Sequence, residues 1–293
     1  MRDWLRSLPG RDSTARKPAR IVPLTGENAH EVRLGWYGSF SLHQLEEHVA
    51  AYPGLSFMVE GGDAHIIGGY WRRRQEIGSV LGLSPRSQGP ALLQRLLAAY
   101  RQRGTALVVA DYQVQQHLDL LADEGFAVVE TIVRYERAGC QVNVPTREID
   151  LRRYSYRDSA TVLEIERESF PWLGWNSAEE LAWYSRLPGV ELHVVYDGEK
   201  PIGYSGFTVT GREGHLDRIA IRRPWQGQGY GAALLARSMR RMEELQVRQM
   251  ALSTQASNRA SQSMYRRFGF QRSHWSYDIH GYWLGDVPEG ARA

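Results

Sequence analysis

The stretch that decides the fold is RRPWQGQGYGAALLARSMRRMEEL at 222–245, read with HLDRIAI at 215–221 immediately before it. The short apolar run before Arg222 reads as a strand, and the residues from Gly231 onward read as an amphipathic helix. Between them, Gln226, Gly229 and Gly231 form Gln-x-x-Gly-x-Gly at a strand-to-helix junction. Glycines let the backbone turn tightly and approach a ligand with no Cβ in the way. Several N–H groups at a helix start can then point at one anionic group, assisted by the helix dipole. A pyrophosphate is the expected guest. The pattern is neither of the Rossmann nor of the Walker type: no Gly-Lys-Ser/Thr follows, and the strand comes after a hairpin. Nicotinamide and nucleoside triphosphate ligands are therefore not expected.

Further along the chain, NRASQSMYRRFGF at 258–270 predicts a second helix with Asn258, Ser261, Tyr265 and Gly269 close to one face. The phenol of Tyr265 can donate a proton to a departing thiolate, and the amide of Asn258 can pair with peptide-like groups of a ligand. A purely packing role for Tyr265 is the competing reading.

These two elements resemble the GNAT superfamily of acyl-CoA-dependent N-acetyltransferases. The resemblance covers most of residues 150–283 and rests on Gln226-x-x-Gly229-x-Gly231, Asn258-x-x-Ser261-x-x-x-Tyr265 and Gly269-Phe270. Alanine is common in the family where Ser261 stands. The resemblance implies that backbone N–H groups of Gln226, Gly227, Gln228, Gly229, Tyr230 and Gly231 hold the pyrophosphate of acetyl-CoA, the cosubstrate. It implies that Ile219, Ala220 and Ile221 pair through their backbone with the pantetheine arm, that Asn258 and Ser261 belong to the same cofactor site, and that Tyr265 protonates the leaving thiolate. The implied reaction is direct attack of a neutral amine on the acetyl carbonyl in one ternary complex, without a metal. The first expectation for the acceptor is a primary amine of a small molecule. A protein N-terminus or lysine is the second, and a non-catalytic acyl-CoA-binding regulator is the rival from another class.

Amines near neutral pH are mostly protonated, so a proton acceptor is needed. Three candidates stand open: His215 and Asp217 on the strand before the glycine turn, and Glu168 on the helix LEIERESF. Strict alternation would put His215, Asp217, Ile219 and Ile221 on one face. Some family members carry a glutamate base five residues before the motif asparagine; that place is Ser253 here. This weakens the likeness to ribosomal-protein N-terminal acetyltransferases, which IERESFPW at 165–172 otherwise resembles. Trp172, Trp175, Trp183 and Tyr184 can wall the acceptor site or fill the core beneath a loop.

An earlier part of the chain repeats the same order of elements. Residues 56–70 and 192–207 both read as hairpins, followed by strands at 77–83 and 215–221 and by helices starting near Ala91 and Gly231. Strands at 106–112 and 249–255 and corners at Gly125-Phe126 and Gly269-Phe270 complete the match. The expected fold class is α/β: two tandem GNAT-like domains, each a mixed, mostly antiparallel sheet flanked by helices. The expected boundaries are a basic tail at 1–20, a degenerate domain at 21–140, a linker at 141–147, the catalytic domain at 148–285 and a tail at 286–293. One larger mixed sheet is the alternative. Aligned on Gly89 and Gly231, the first half has Ser84 for Gln226, Ser87 for Gly229 and Leu121 for Tyr265, with Pro90 removing a donor. One working centre is expected, a layout similar to that of mycothiol synthase.

Among the 293 residues, 42% are hydrophobic and 24% charged, the profile of a globular chain with no apolar run long enough for a bilayer. The net charge of +3 predicts no nucleic-acid partner. The sole cysteine, Cys140, suits a cytoplasmic setting and offers no metal site. Oligomeric state is not readable.

Overall fold

The computed structural model describes residues 20–32, 40–61, 64–84, 88–112 and 114–286. The expected tails, apart from Arg20 and Asp286, lie outside the described residues, as do Ser87 and the Gly62-Asp63 part of the first hairpin turn.

In the first half, strands β1 (Ile21–Pro23), β2 (Ser56–Val59), β3 (His65–Tyr70), β4 (Ile77–Leu83), β5 (Leu107–Ala110) and β6 (Ala127–Ala138) are interleaved with helices α1 (Leu42–Ala51), α2 (Gly89–Gln102) and α3 (Gln115–Asp123). The second half runs β7 (Asp150–Arg153), α4 (Ser159–Ser169), α5 (Ala178–Tyr184), β8 (Val190–Asp197), β9 (Lys200–Thr210), β10 (Glu213–Ile221), α6 (Tyr230–Glu244), β11 (Gln249–Gln255), α7 (Arg259–Arg267) and β12 (Gln271–Trp283). The repeated order read from the sequence is therefore present. In both halves the strand before the glycine-turn region pairs parallel with the strand after the following helix, β4 with β5 and β10 with β11.

The two halves do not build separate sheets. All twelve strands form one sheet in the order β1-β2-β3-β4-β5-β12-β6-β11-β10-β9-β8-β7. The last strand of each half lies beside the other half: β12 pairs antiparallel with β5, β6 pairs antiparallel with β11, and β6 and β12 pair with each other at the centre. The two tandem mixed α/β halves read from the sequence are thus present, and their strands join into one continuous sheet.

Cores on both sheet faces follow this exchange. Leu235, Met239 and Met242 of α6 bury against Phe207, Leu216 and Leu252, and Val133 and Tyr135 of β6 join that same cluster. On the opposite face, Val162 and Ile165 of α4 and Leu181 of α5 pack on Leu192, Val194 and Tyr204. Tyr282 and Leu284, from the end of the chain, pack against the first-half core of Leu92, Leu96, Tyr100 and Val108. A fourth cluster bridges the halves through Ile77, Leu107, Val109, Trp172 and Ile279.

Candidate active site

Four paired positions followed by a parting of two strands explain why a cleft exists. β10 and β11 pair from Glu213↔Gln249 to Leu216↔Leu252 and then part, while β10 stays paired with β9 and β11 with β6. Arg218–Ile221 consequently face a widening gap with no strand neighbour on that edge. A cleft of about 390 Å³ fills it, lined by His215, Asp217, Arg218, Ile219, Ser253, Asn258, Ser261 and Tyr265 from the second half. A second cavity of about 260 Å³ continues to the glycine turn, lined by Ile219, Ala220, Ile221, Gln226, Gly227, Gly231 and Met264. Phe170, Ile219, Asn258 and Ser261 border both, so the two spaces are consecutive parts of one groove.

The glycine turn has the shape of an anion cradle. Gly227 and Gly229 sit at φ +75° and +86°, a backbone region where L side chains are strained, and nothing lies within 4 Å of a Cβ placed on Gly227. Gly229 is the N-cap of α6. Gln226 donates from Nε2 to the Ile221 carbonyl at 2.8 Å, closing the turn from behind. Above it, Arg147 of the linker segment donates to the Gln228 carbonyl at 3.1 Å and lies 3.7 Å over the Tyr230 ring. Arg147 escaped the sequence reading, since a lone arginine in a linker carries no pattern. The open glycines, the helix start and this guanidinium fit a pyrophosphate.

At the far end of the groove, Tyr265 is 4% exposed, with Tyr135 and Phe270 rings 6.0 and 6.2 Å away. Burial pushes its phenol up to about 12, partly offset by a hydrogen bond with Ser261. The hydroxyl is thus held protonated until it meets a strong base. Asn258 caps α7 by accepting from the Ser261 N–H at 3.1 Å.

The candidate bases separate cleanly. His215 Nδ1 and Asp217 Oδ1 are 2.7 Å apart, and Asp217 Oδ2 accepts from the Tyr184 hydroxyl at 2.6 Å and from Thr208 at 2.7 Å. Burial, and then the charge of Asp217, push the Tyr184 phenol well above its ordinary range. Gly206 makes this possible, because a Cβ there would meet the Tyr184 hydroxyl at 2.9 Å. Glu168 is instead ion-paired with Arg222 and is not among the residues lining either cavity. The expected alternation along β10 is corrected: register slips between Leu216 and Arg218, so Asp217 is the extra residue of a bulge. Past the bulge, Arg218 and Ala220 take the phase of His215, while Ile219 and Ile221 face α6.

The aromatic segment divides between the two roles. Trp172 is 7% exposed and stacks on Trp283 at 6.0 Å, and Trp175 joins the same bridging cluster. Trp183 lies under the Arg73 guanidinium at 5.0 Å, and only Tyr184 of the four lines the cleft. A structural, substrate-shaping or regulatory role is the sequence expectation for the first half, and the residues through which it reaches the site are what that expectation did not name. Trp71 donates to the Leu173 carbonyl at 2.9 Å, Arg73 pairs with Glu179 and Glu180, and Arg74 bonds the Trp172 carbonyl. Between them Arg72 enters the cleft itself. The run WRRR at 71–74 was the available signal, but consecutive arginines ordinarily mark a solvated surface.

In the first half, the described ends of the corresponding turn, Ser84 and Gly89, are closely packed. A Cβ on Gly89 would sit 2.8 Å from Leu120 Cδ2 and 3.1 Å from the Ser84 carbonyl, and His117 Nε2 lies 2.7 Å from the Leu83 carbonyl. Leu121, opposite Tyr265 in the repeat, is fully buried. Among the described residues no cluster of His, Cys, Asp or Glu could hold a metal ion, and no helix is long and apolar enough to cross a membrane.

Comparison with known proteins agrees with this geometry. Residues 159–270 match the acetyltransferase (GNAT) family. Over 123 residues the chain is 28% identical to a Bacillus subtilis (strain 168) protein provisionally named a ribosomal protein bS18-alanine N-acetyltransferase, covering 41% of this chain and 80% of that one. A GCN5-related N-acetyltransferase from Sphaerobacter thermophilus superposes with TM-score 0.57 at 20% identity, over 92% of this chain and 97% of that one. One from Kribbella flavida gives 0.67 at 15% identity, over 91% and 71%. A tandem GNAT protein from the clavulanic acid biosynthesis pathway gives 0.57 at 12% identity, over 92% and 100%. The segment matched to the acetyltransferase (GNAT) family thus spans α4 through α7 and includes the glycine turn and Tyr265 of the second half of this chain.

Proposed function

We propose that the groove transfers an acetyl group from acetyl-CoA to a primary amine of a small molecule, by direct attack within one ternary complex. The observation that carries this reading is the continuity of the two cavities, which joins the glycine turn to the His215–Asp217 pair past Tyr265. Acetyl-CoA supplies the activated acyl group; Gln226–Gly231 and Arg147 hold its phosphates and the free edge of Ile219–Ile221 holds its arm. His215 removes the proton of the incoming ammonium, and Asp217 fixes the ring with Nδ1–H bonded to it and Nε2 free to accept. Tyr265 donates its proton to the departing sulfur. Closed around Gly89, the first half acts in shaping the site and does no chemistry of its own.

The test is release of CoA thiol from acetyl-CoA across a panel of small amines. Tyr265→Phe is expected to lower kcat by about 10²-fold, within the usual range for a positioned acid, with little change in KM for acetyl-CoA. Unchanged turnover would remove Tyr265 from the acid role. Gly229→Val forces a branched side chain into φ +86°, a strain of about 1–2 kcal/mol, and is expected to weaken acetyl-CoA binding about tenfold. Calorimetric affinity equal to wild type would count against the cradle.

A second reading has its own support in the likeness to the Bacillus subtilis protein. A peptide beginning with alanine belongs in the panel for this reason. Preferential acetylation of that peptide over every small amine would move the assignment to a protein N-terminus. Tight CoA binding with no transfer to any acceptor would identify a non-catalytic acyl-CoA-binding protein.

A further inference from the structure

Arg72 comes from the half that does no chemistry, yet it lines the cleft with His215, Asp217 and Tyr265. Its backbone is left-handed at φ 50°, ψ 34°, followed by Arg73 at φ 53°, a conformation that arginine adopts only when the surroundings impose it. The side chain is fixed through Nη1, which donates to Asn176 Oδ1 at 2.7 Å. Asn176 is held in turn, because its Nδ2 donates to Glu166 at 3.0 Å and its backbone N–H to the same carboxylate at 2.7 Å.

Among the described residues the charge of Arg72 has no direct counter-ion. Glu166 is spent on Arg218, at 2.9 and 2.5 Å, and on the Tyr204 hydroxyl. Glu180 is spent on Arg73, and Asp217 on Tyr184, Thr208 and His215. Among the described residues neither Nε nor Nη2 of Arg72 meets an acceptor, and Nε is sealed from solvent. Burial, and then the neighbouring Arg218, push the guanidinium down to about 10, so it still carries its charge at neutral pH. A guanidinium that lines the cleft and has no carboxylate bound to it can take one from a ligand through the part that borders the cavity.

Resting on the acetyltransfer reading, we propose that Arg72 recognises a carboxylate on the acceptor, so that the substrate class is amines that also bear a carboxylate. The guanidinium anchors the acid end, and the same cleft presents the amine to His215. The residue that determines specificity thus comes from the first half of the chain, while the acetyl chemistry stays in the second.

Two measurements test this on the full chain. In the first, kcat/KM is compared for matched acceptors, β-alanine against β-alaninamide and 4-aminobutyrate against 4-aminobutanamide. In the second, binding of N-acetyl-β-alanine and of its amide to CoA-saturated protein is measured by calorimetry. The acid is expected to win each pair by about tenfold or more, the scale of hydrogen bonds to a charged group. Arg72→Gln should abolish the preference, and Arg72→Lys should keep part of it. Thermal melting establishes that each variant is folded; if the glutamine variant does not fold, the lysine variant and the wild-type pairs still decide. Equal handling of acid and amide by the wild type in both assays overturns the inference, as does a preference that survives Arg72→Gln. Discrimination in binding without turnover of any amine supports the carboxylate site and overturns the acetyltransfer reading instead.

Discussion

Residues 141–293 produced without the rest of the chain are expected to yield no folded acetyltransferase, although they contain the whole segment matched to the family. The reason is the exchanged strands. β11 would lose β6 along a ladder running from Gln249↔Ala138 to Gln255↔Ile132, and β12 would lose both of its partners. Val133 and Tyr135, each 0% exposed, would leave the core beneath α6 and α7 unfilled. Burial of side chains of this size is worth about 1.5–3 kcal/mol each, against a net stability of about 5–15 kcal/mol for a whole domain. An exposed edge of β11 also invites pairing between chains. The expected result is aggregation or a non-cooperative melt followed by circular dichroism, with solubility restored when residues 1–140 are co-produced. A monomeric fragment that melts cooperatively and turns over acetyl-CoA would show that β12 can move beside β11, and that the exchange is dispensable.

That topology was the least legible feature of the chain, and for a physical reason. Hydrophobic period and turn chemistry are local, so β4, β10, α2, α6 and the two glycine corners could be located from their own residues. Which of two similar last strands sits beside β5 depends on side chains far apart in sequence: β6 and β12 carry comparable patterns, and nothing within either one selects its neighbour. The bulge at Asp217 was hidden in the same way, because HLDRIAI reads as unbroken alternation and the extra residue shows only against β9. Motif residues fared better. The glycine turn and Tyr265 could be found because their spacing is set by one junction and one helix. Arg147 and Arg72 could not, since each is delivered to the groove by a segment outside the matched elements.

His215→Ala is expected to produce the largest loss of activity in the folded protein, lowering kcat/KM by about 10²–10⁴-fold, the contribution of a positioned general base. The argument runs through Asp217. A carboxylate whose Oδ2 accepts from Tyr184 and Thr208 and whose Oδ1 meets the imidazole is suited to orienting and holding the ring instead of taking the substrate's proton itself. Asp217→Asn should therefore cost activity by letting the ring turn to its other tautomer, and a smaller loss than His215→Ala is expected. Glu168→Ala serves as the contrast, since its ion pair with Arg222 lies away from the cleft and its removal should leave turnover near wild type. If Asp217→Asn were as damaging as His215→Ala, the proton would have to leave by another route, and the pair at 2.7 Å would be a structural tie across the bulge.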